Sequence, residues 1–323
     1  MHPSEALFRG QHLPAVLQAC DHYAGTEKLM RKSLVLQQEI GPRFDITFDC
    51  EDGAATGAEA THAEMIGTLI AGSDNHFDRV GVRVQDARHP CFEQSVRIIC
   101  SLAANRLAYV ALPKINSLAE LEQVIAIVNR HAQNSGRAGM PIQVLIETQG
   151  ALAEVFAIAR HPQVQALSFG IMDFVSSHYG AIPAAAMRSP GQFSHPLVRR
   201  AKLEIAAACH AFGKVASHNV TTEINDTSVV TEDATRAMHE FGYTRMWSIH
   251  PNQIRPILAA FAPSSAEINE ASAILCNAQA NCWAPIQHNG KLHDRASYRY
   301  YWTVLQRAKA SNLPLPDFAA GLL

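Results

Sequence analysis

Short runs rich in Val, Ile, Leu and Phe alternate along this chain with longer stretches whose apolar residues fall at helical spacing. The runs are Pro14–Cys20, Phe44–Cys50, Arg79–Val84, Leu107–Pro113, Ile142–Glu147, Ala166–Ile171, Lys214–Asn219 and Tyr243–Ile249. Runs this short also suit buried helical pieces, but flanking polar turns and β-branched content favour strands. Between them, Leu118, Leu121, Val124, Ile125 and Val128 share one face of a helix over Ser117–His131, and Pro196–Phe212 repeats the pattern. Eight strand–helix alternations predict an α/β fold, a (β/α)8 TIM barrel, over residues 1–262. The rival is an open doubly wound sheet, but neither G-x-G-x-x-G nor G-x-x-x-x-G-K-[ST] occurs.

Residues 263–323 read as a C-terminal helical extension. Pro263-Ser264-Ser265, followed by Glu267 and Glu270, starts a helix to about Trp283, with Ser265 as its expected cap. Pro285–Asp294 is polar and turn-forming, and a final helix runs over Arg295–Ala310. The extension looks too small for a core of its own, so it is expected to pack on the barrel or on a neighbouring subunit.

Composition narrows the class. Of 323 residues, 48% are hydrophobic and 17% charged, which suits a large core and excludes global disorder. Lys and Arg number 27 against 29 Asp and Glu, a balance that argues against a nucleic-acid or acidic-membrane partner. No apolar run approaches the roughly 18 residues of a membrane span. The N-terminus lacks the pattern of a signal peptide, and seven cysteines without a C-x-x-C pair read as reduced thiols. A cytoplasmic location is expected.

In such a barrel, chemistry sits at the C-terminal ends of the strands. There stand Asp21 and His22, Asp49 with Glu51 and Asp52, Arg83, Lys114, Glu147, Asp173, His218 and His250. Glu147 in IETQG and Asp173 in FGIMD lie about one β/α unit apart, so adjacent strands would bring two carboxylates together. Two carboxylates with waters and substrate oxygens suit octahedral Mg²⁺, which polarises a carbonyl and stabilises an enolate. The alternative is a pair of solvated loop acids. Arg83 either grips a substrate carboxylate bidentately or pairs with Asp49, Glu51 or Asp52. Those three acids repel one another unless cations or donors compensate. His218 and His250, like His22 and His178, are general bases or hydrogen-bonded structural histidines. No H-E-x-x-H and no G-x-S-x-G occurs, so zinc and serine hydrolases lack their signatures. Arg199, Arg200 and Lys202 read as a solvated helix face, and Asp294 as the cap of the last helix.

The ordered set FDCEDG, GVRV, ALPK, IETQG, FGIMD, WSIHPNQI and FAPSSAEINEA resembles the citrate lyase β-subunit-like and malyl-CoA lyase branch of the HpcH/HpaI aldolase superfamily, over most of the chain. That resemblance implies a (β/α)8 barrel binding Mg²⁺, with Mn²⁺ as an alternative ion. It implies cleavage or formation of a carbon–carbon bond beside an acyl thioester such as malyl-CoA, citramalyl-CoA or a citryl thioester. The partners are then an acyl-CoA and a 2-oxo acid. Glu147 and Asp173 match the metal carboxylates, and Arg83 the arginine that orients the oxo acid. Glu51 and Asp52 match acids near the metal waters, and Lys32 a basic position facing the coenzyme A phosphates. Gly170 of FGIMD and Pro251 of WSIHPNQI belong to the same substrate-binding surroundings. Asp294, in GKLHD, matches the acid/base of a closing C-terminal segment, which in relatives can come from an adjacent subunit. A homotrimer or homohexamer is expected.

This chain departs from the pattern. It has Gln85 where relatives usually carry Asn, Ser217-His218-Asn219 where an Asp is common, and Cys20-Asp21-His22-Tyr23 in place of a proline-glycine loop. Ala181–Ser194, with Arg188, is also unusual. These changes leave the acyl group and the oxo acid open. Two other functions remain: a 2-oxo-acid aldolase without coenzyme A, with His22 as its base, and a non-catalytic ligand-binding paralogue.

Overall fold

A computed structural model describes residues 2–8, 15–54 and 56–323. The chain divides into two compact units, residues 19–260 and residues 1–18 with 261–323.

The larger unit is a closed barrel of eight parallel strands: β1 (Cys20–Ala24), β2 (Asp45–Asp49), β3 (Val80–Arg83), β4 (Leu107–Leu112), β5 (Ile142–Ile146), β6 (Val164–Phe169), β7 (Val215–His218) and β8 (Arg245–Ser248). Each pairs with its sequence neighbours, and β8 closes on β1 through Cys20 and Met246. The helix Leu118–Asn134 shows how the crossovers form. The Ser117 hydroxyl accepts from Glu120 N at 3.1 Å, and Leu121, Val124, Ile125 and Val128 are buried. Each such side chain contributes about 1.5–3 kcal/mol on leaving water.

The first strand is not where the apolar pattern places it. Residues 15–18 have no regular structure, Pro14 lies outside the described residues, and β1 begins only at Cys20. Asp21 and His22 are therefore inside a strand, not beyond its end. Asp21 points into the barrel, where Arg245 Nη2 lies 2.9 Å from its Oδ2. Tyr109 Oη and Thr47 Oγ1 donate to Asp21 Oδ1 at 2.9 and 2.8 Å. Arg245 also donates to Asp45, so side chains of β1, β2, β4 and β8 meet in a sealed polar layer low in the barrel. Gly81 makes room for it: a Cβ there would fall 2.2 Å from the Tyr109 ring.

Strand alternation turns His22 to the opposite face. Its Nδ1 lies 2.9 Å from Ser248 Oγ, and burial, with His250 nearby, lowers its pKa to about 4. The folded value lies below the unfolded 6.5, so this contribution is complete above that pH and is lost as pH falls through 4. The total is about 3 kcal/mol. Urea unfolding at pH 7 and pH 4 should show a smaller acid loss for His22→Asn than for the parent; equal losses would refute this assignment.

The smaller unit does hold a core of its own, contrary to the expectation from its length. The N-terminal helix Pro3–Phe8 supplies Leu7 and Phe8 to a cluster with Ile268, Leu275, Tyr298 and Leu305. Arg295 Nε fastens that helix by donating to Leu7 O at 3.1 Å. The first helix of the extension, Ser265–Ala280, is capped by Ser264 and not Ser265, in a reciprocal box with Glu267. The turn-forming stretch is a hairpin of β9 (Ile286–His288) and β10 (Lys291–His293), and the last helix is Arg295–Ala310. All seven cysteines are free thiols. Among the described residues no helix is long and apolar enough to cross a membrane.

Candidate active site

Parallel strands aim their C-terminal ends the same way, so the residues ending β2 to β6 share one rim. Arg83, the last residue of β3, is clamped by Asp49 of β2: Nε to Oδ1 at 2.7 Å and Nη2 to Oδ2 at 2.6 Å. Its Nη1 lies 3.0 Å from Glu51 Oε2. Asp49 also accepts from Glu51 N and Gly53 N, so the acidic FDCEDG turn is folded around one carboxylate. The pairing alternative for Arg83 is thus realised, and its guanidinium remains on the rim, 5.4 Å above the Tyr23 ring.

Lys114, just past β4, ties the acids together. Its backbone is left-handed (φ 53°), and its N–H donates to Glu147 Oε1 at 2.7 Å. Its ammonium bonds Glu51, lies 3.3 Å from Asp52 and 3.8 Å from Asp173 Oδ1. Partial burial opposes its charge, but the Glu51, Asp173 and Asp52 carboxylates outweigh that and raise its pKa.

Glu147 and Asp173 are brought together. Glu147 is 2% exposed after β5, while Asp173 sits in the first turn of the short helix Ile171–Ser176 after β6 and is partly exposed. Burial first, and the Asp173 charge second, push the Glu147 pKa up to about 8. Gly170 lets them approach: a Cβ on it would fall 2.1 Å from Glu147 Oε2. Among the described residues no group of three or more His, Cys, Asp or Glu is placed to hold a metal. A buried carboxyl beside a partly exposed carboxylate, on neighbouring strand ends, fits a hard divalent ion that keeps several of its waters.

The other expected residues stand on the helices that follow β1 and β8 or in the smaller unit. Lys32 is exposed on the helix Glu27–Ile40, and Pro251 is exposed at the start of the helix Pro251–Phe261. Asp294 belongs to the smaller unit and caps the last helix, its Oδ1 accepting from Ala296 N at 3.0 Å and Ser297 N at 3.4 Å. His250 Nδ1 accepts from Asn252 N at 3.3 Å, a structural role at a helix start.

The solvated reading of Lys202 is corrected, and His218 takes the structural alternative. His218 is fully buried and turned toward the helices, with Nε2 2.5 Å from Lys202 Nζ. Lys202 is likewise fully buried, not solvated as its neighbours Arg199 and Arg200 are. Its Nζ donates to Gln192 Oε1 at 2.9 Å and lies 4.2 Å over the Phe193 ring. Burial lowers both pKa values, and Lys202 lowers that of His218 further. Gln192 also accepts from Asn219 Nδ2 at 2.8 Å and donates to Asp233 Oδ2 at 2.9 Å, fixing the unusual segment after β6. The sequence marks Lys114 as a strand-end residue but not as the hub of the acids, and it marks neither the hub Gln192 nor the stack of Tyr23 on Trp247 at 4.4 Å.

A barrel that gathers paired carboxylates and an arginine on one rim suits carbon–carbon lyase chemistry. Residues 34–251 match the HpcH/HpaI aldolase/citrate lyase family, and the chain belongs to it. It is a carbon–carbon lyase of that family, with relatives named for malyl-CoA and citrate cleavage. A citrate lyase from Burkholderia xenovorans LB400 superposes with a TM-score of 0.88 at 56% identity, covering 100% of both chains. The L-malyl-CoA/beta-methylmalyl-CoA lyase of Cereibacter sphaeroides is 27% identical over 82% of this chain and 87% of its own. CitE of Mycobacterium tuberculosis, solved with magnesium, acetoacetate and coenzyme A, shares the fold at a TM-score of 0.69 and 19% identity, over 91% of this chain and 99% of its own.

Proposed function

We propose that this protein is a Mg²⁺-dependent lyase that makes or breaks the carbon–carbon bond between an acyl-CoA and a 2-oxo acid, as a homotrimer or homohexamer. The observation that carries this reading is the buried Glu147 carboxylate beside Asp173 on the rim that also holds Arg83. A relative named for malyl-CoA, and a structural neighbour solved with magnesium, acetoacetate and coenzyme A, support it.

Glu147 and Asp173 would hold the ion, and Mn²⁺ would serve in its place. When bound, Mg²⁺ supplies Lewis-acid polarisation of the keto oxygen. Arg83 carries five N–H donors. Three face Asp49 and Glu51, and the others orient the carboxylate of the oxo acid. Glu51 and Asp52, held by Lys114, order the surrounding waters. Lys32 meets the coenzyme A phosphates, and Gly170 and Pro251 shape the surroundings of the substrate. In condensation, Asp294 takes a proton from the carbon beside the thioester. The electron pair left there forms the bond to the keto carbon, and the keto oxygen gains a proton to become a hydroxyl. Cleavage runs the same steps backward.

The aldolase reading without coenzyme A loses its base, because His22 is buried on the outer face of β1 and bonded to Ser248. Asp294→Asn tests the proposal, since Asn also caps a helix well and the fold is kept. The variant should lose about 10²–10⁴-fold in thioester turnover. Full activity with acetyl-CoA and 2-oxo acids, read by chromatography of the hydroxyacyl-CoA product, would refute the role of Asp294 and the mechanism written through it.

A further inference from the structure

Lys114 meets both carboxyl groups assigned to the metal, and it does so with two different atoms. Its backbone N–H donates to Glu147 Oε1 at 2.7 Å, from a left-handed conformation just past β4. Its ammonium faces Asp173 Oδ1 at 3.8 Å. The amide therefore orients Glu147 whatever the side chain does, and the side chain alone answers to Asp173. The three contacts of the ammonium are unequal. Glu51 Oε1 is hydrogen-bonded, both Asp52 oxygens lie at 3.3 Å, and Asp173 is the most distant. Arg83, the neighbouring cation on the rim, is locked by its two bonds to Asp49 and its contact with Glu51. A planar guanidinium fork holds such a geometry, whereas a lysine ammonium is a point charge on a flexible stem. Lys114 is also partly exposed, and among the described residues it is the cation paired with Asp173.

We propose that Lys114 is a tethered counter-cation: it balances Asp173 until a divalent ion binds there, then gives up that contact and keeps Glu51 and Asp52. This rests on the metal reading above. An ammonium and a divalent ion that share one carboxylate oxygen repel each other, so they are alternative partners for Asp173. The contact to be given up is the longest of the three, and the anions that retain the ammonium are already its neighbours. A small swing of a flexible side chain is enough, and no backbone has to move. The rim acids thus never face one another without a cation. The ion is held less tightly than the carboxyl groups alone would hold it, which keeps it exchangeable.

The test is calorimetry of Mg²⁺ binding to the full chain after treatment with a chelator. Lys114→Gln removes the charge and keeps the amide on Glu147, and it should bind Mg²⁺ about tenfold more tightly than the parent. Without added metal it should melt about 2–4 °C lower, having lost a counter-ion among its acids. Saturating Mg²⁺ should then raise its melting temperature by more than it raises the parent's. Lys114→Arg keeps the charge and should bind the ion within about threefold of the parent. Lys114→Met, which keeps the unbranched stem, stands in if Lys114→Gln fails to fold. Equal or weaker Mg²⁺ binding by a folded uncharged variant overturns the proposal, because the ammonium would then serve to hold Glu51 and Asp52 for the ion's waters. Tightening in Lys114→Arg as large as in Lys114→Gln also overturns it, since charge would not be the cause. Absence of Mg²⁺ binding by the parent overturns the metal reading beneath it.

Discussion

Replacing Glu147 by Gln should lower kcat/KM by about 10²–10³-fold while leaving the fold intact. The amide oxygen of Gln still accepts from Lys114 N, so the one hydrogen bond holding this side chain survives. What changes is a carboxyl buried almost completely beside Asp173, whose pKa of about 8 keeps it mostly protonated at neutral pH until a metal takes the proton's place. Without metal Gln therefore replaces a mostly neutral group of the same shape, so Glu147→Gln should melt no lower than the parent. With metal the order should reverse. Mg²⁺ at a hundred times its Kd stabilises a protein that binds it by about 2.7 kcal/mol, and only the parent should gain this. Losing a Lewis acid worth several kcal/mol in the transition state, at about 1.4 kcal/mol per tenfold, gives the expected fall in rate. Calorimetry with Mg²⁺, melting with and without the ion, and steady-state rates together check it. Unchanged Mg²⁺ affinity in the variant would remove Glu147 from the metal site.

These carboxylates were legible before any coordinates because each follows an apolar strand that has nothing else to do with a charge. IQVLI ends in Glu147, and LSF leads through Gly170 to Asp173. Seven strands and the long crossover helices were legible for the same reason: burial of one face leaves a period in the chain. The first strand was not. Its inward positions are Asp21 and Tyr23, and Asp21 looks apolar-compatible only once Arg245, from the far end of the barrel sequence, is known to meet it. Lys202 failed likewise. A lysine between Ala201 and Leu203 looks solvated until Gln192, His218 and Phe193 surround it. Arg83 shows a third limit. Its place on the rim could be read, but whether it faces substrate or Asp49 depends on a turn, Glu51 to Gly53, whose N–H groups aim the Asp49 carboxylate. Pairwise chemistry between distant segments carries no local pattern, and this barrel holds it both inside, around Arg245, and behind β7, around Lys202.

Arg245→Met is the sharpest test of that inner chemistry. The guanidinium is fully buried between Asp21 and Asp45, and burial is outweighed by those carboxylates, so it stays charged. Met fills much of the same volume but leaves two acids facing each other in a sealed layer. Removing one partner of a buried ion network costs about 3–5 kcal/mol, so the variant should lose that much stability in urea unfolding. Asp45 keeps Arg79 at 3.2 Å, whereas Asp21 keeps only neutral donors, Tyr109 and Thr47. Asp21 should therefore carry most of the penalty. Adding Asp21→Asn to Arg245→Met should recover more stability than adding Asp45→Asn, a coupling that a double-mutant cycle reads directly. Equal recovery would mean that the layer shares its charge evenly. Cooperative unfolding of the single variant without loss of stability would mean that Arg245 serves specificity of strand pairing more than stability, which buried ion networks can also do.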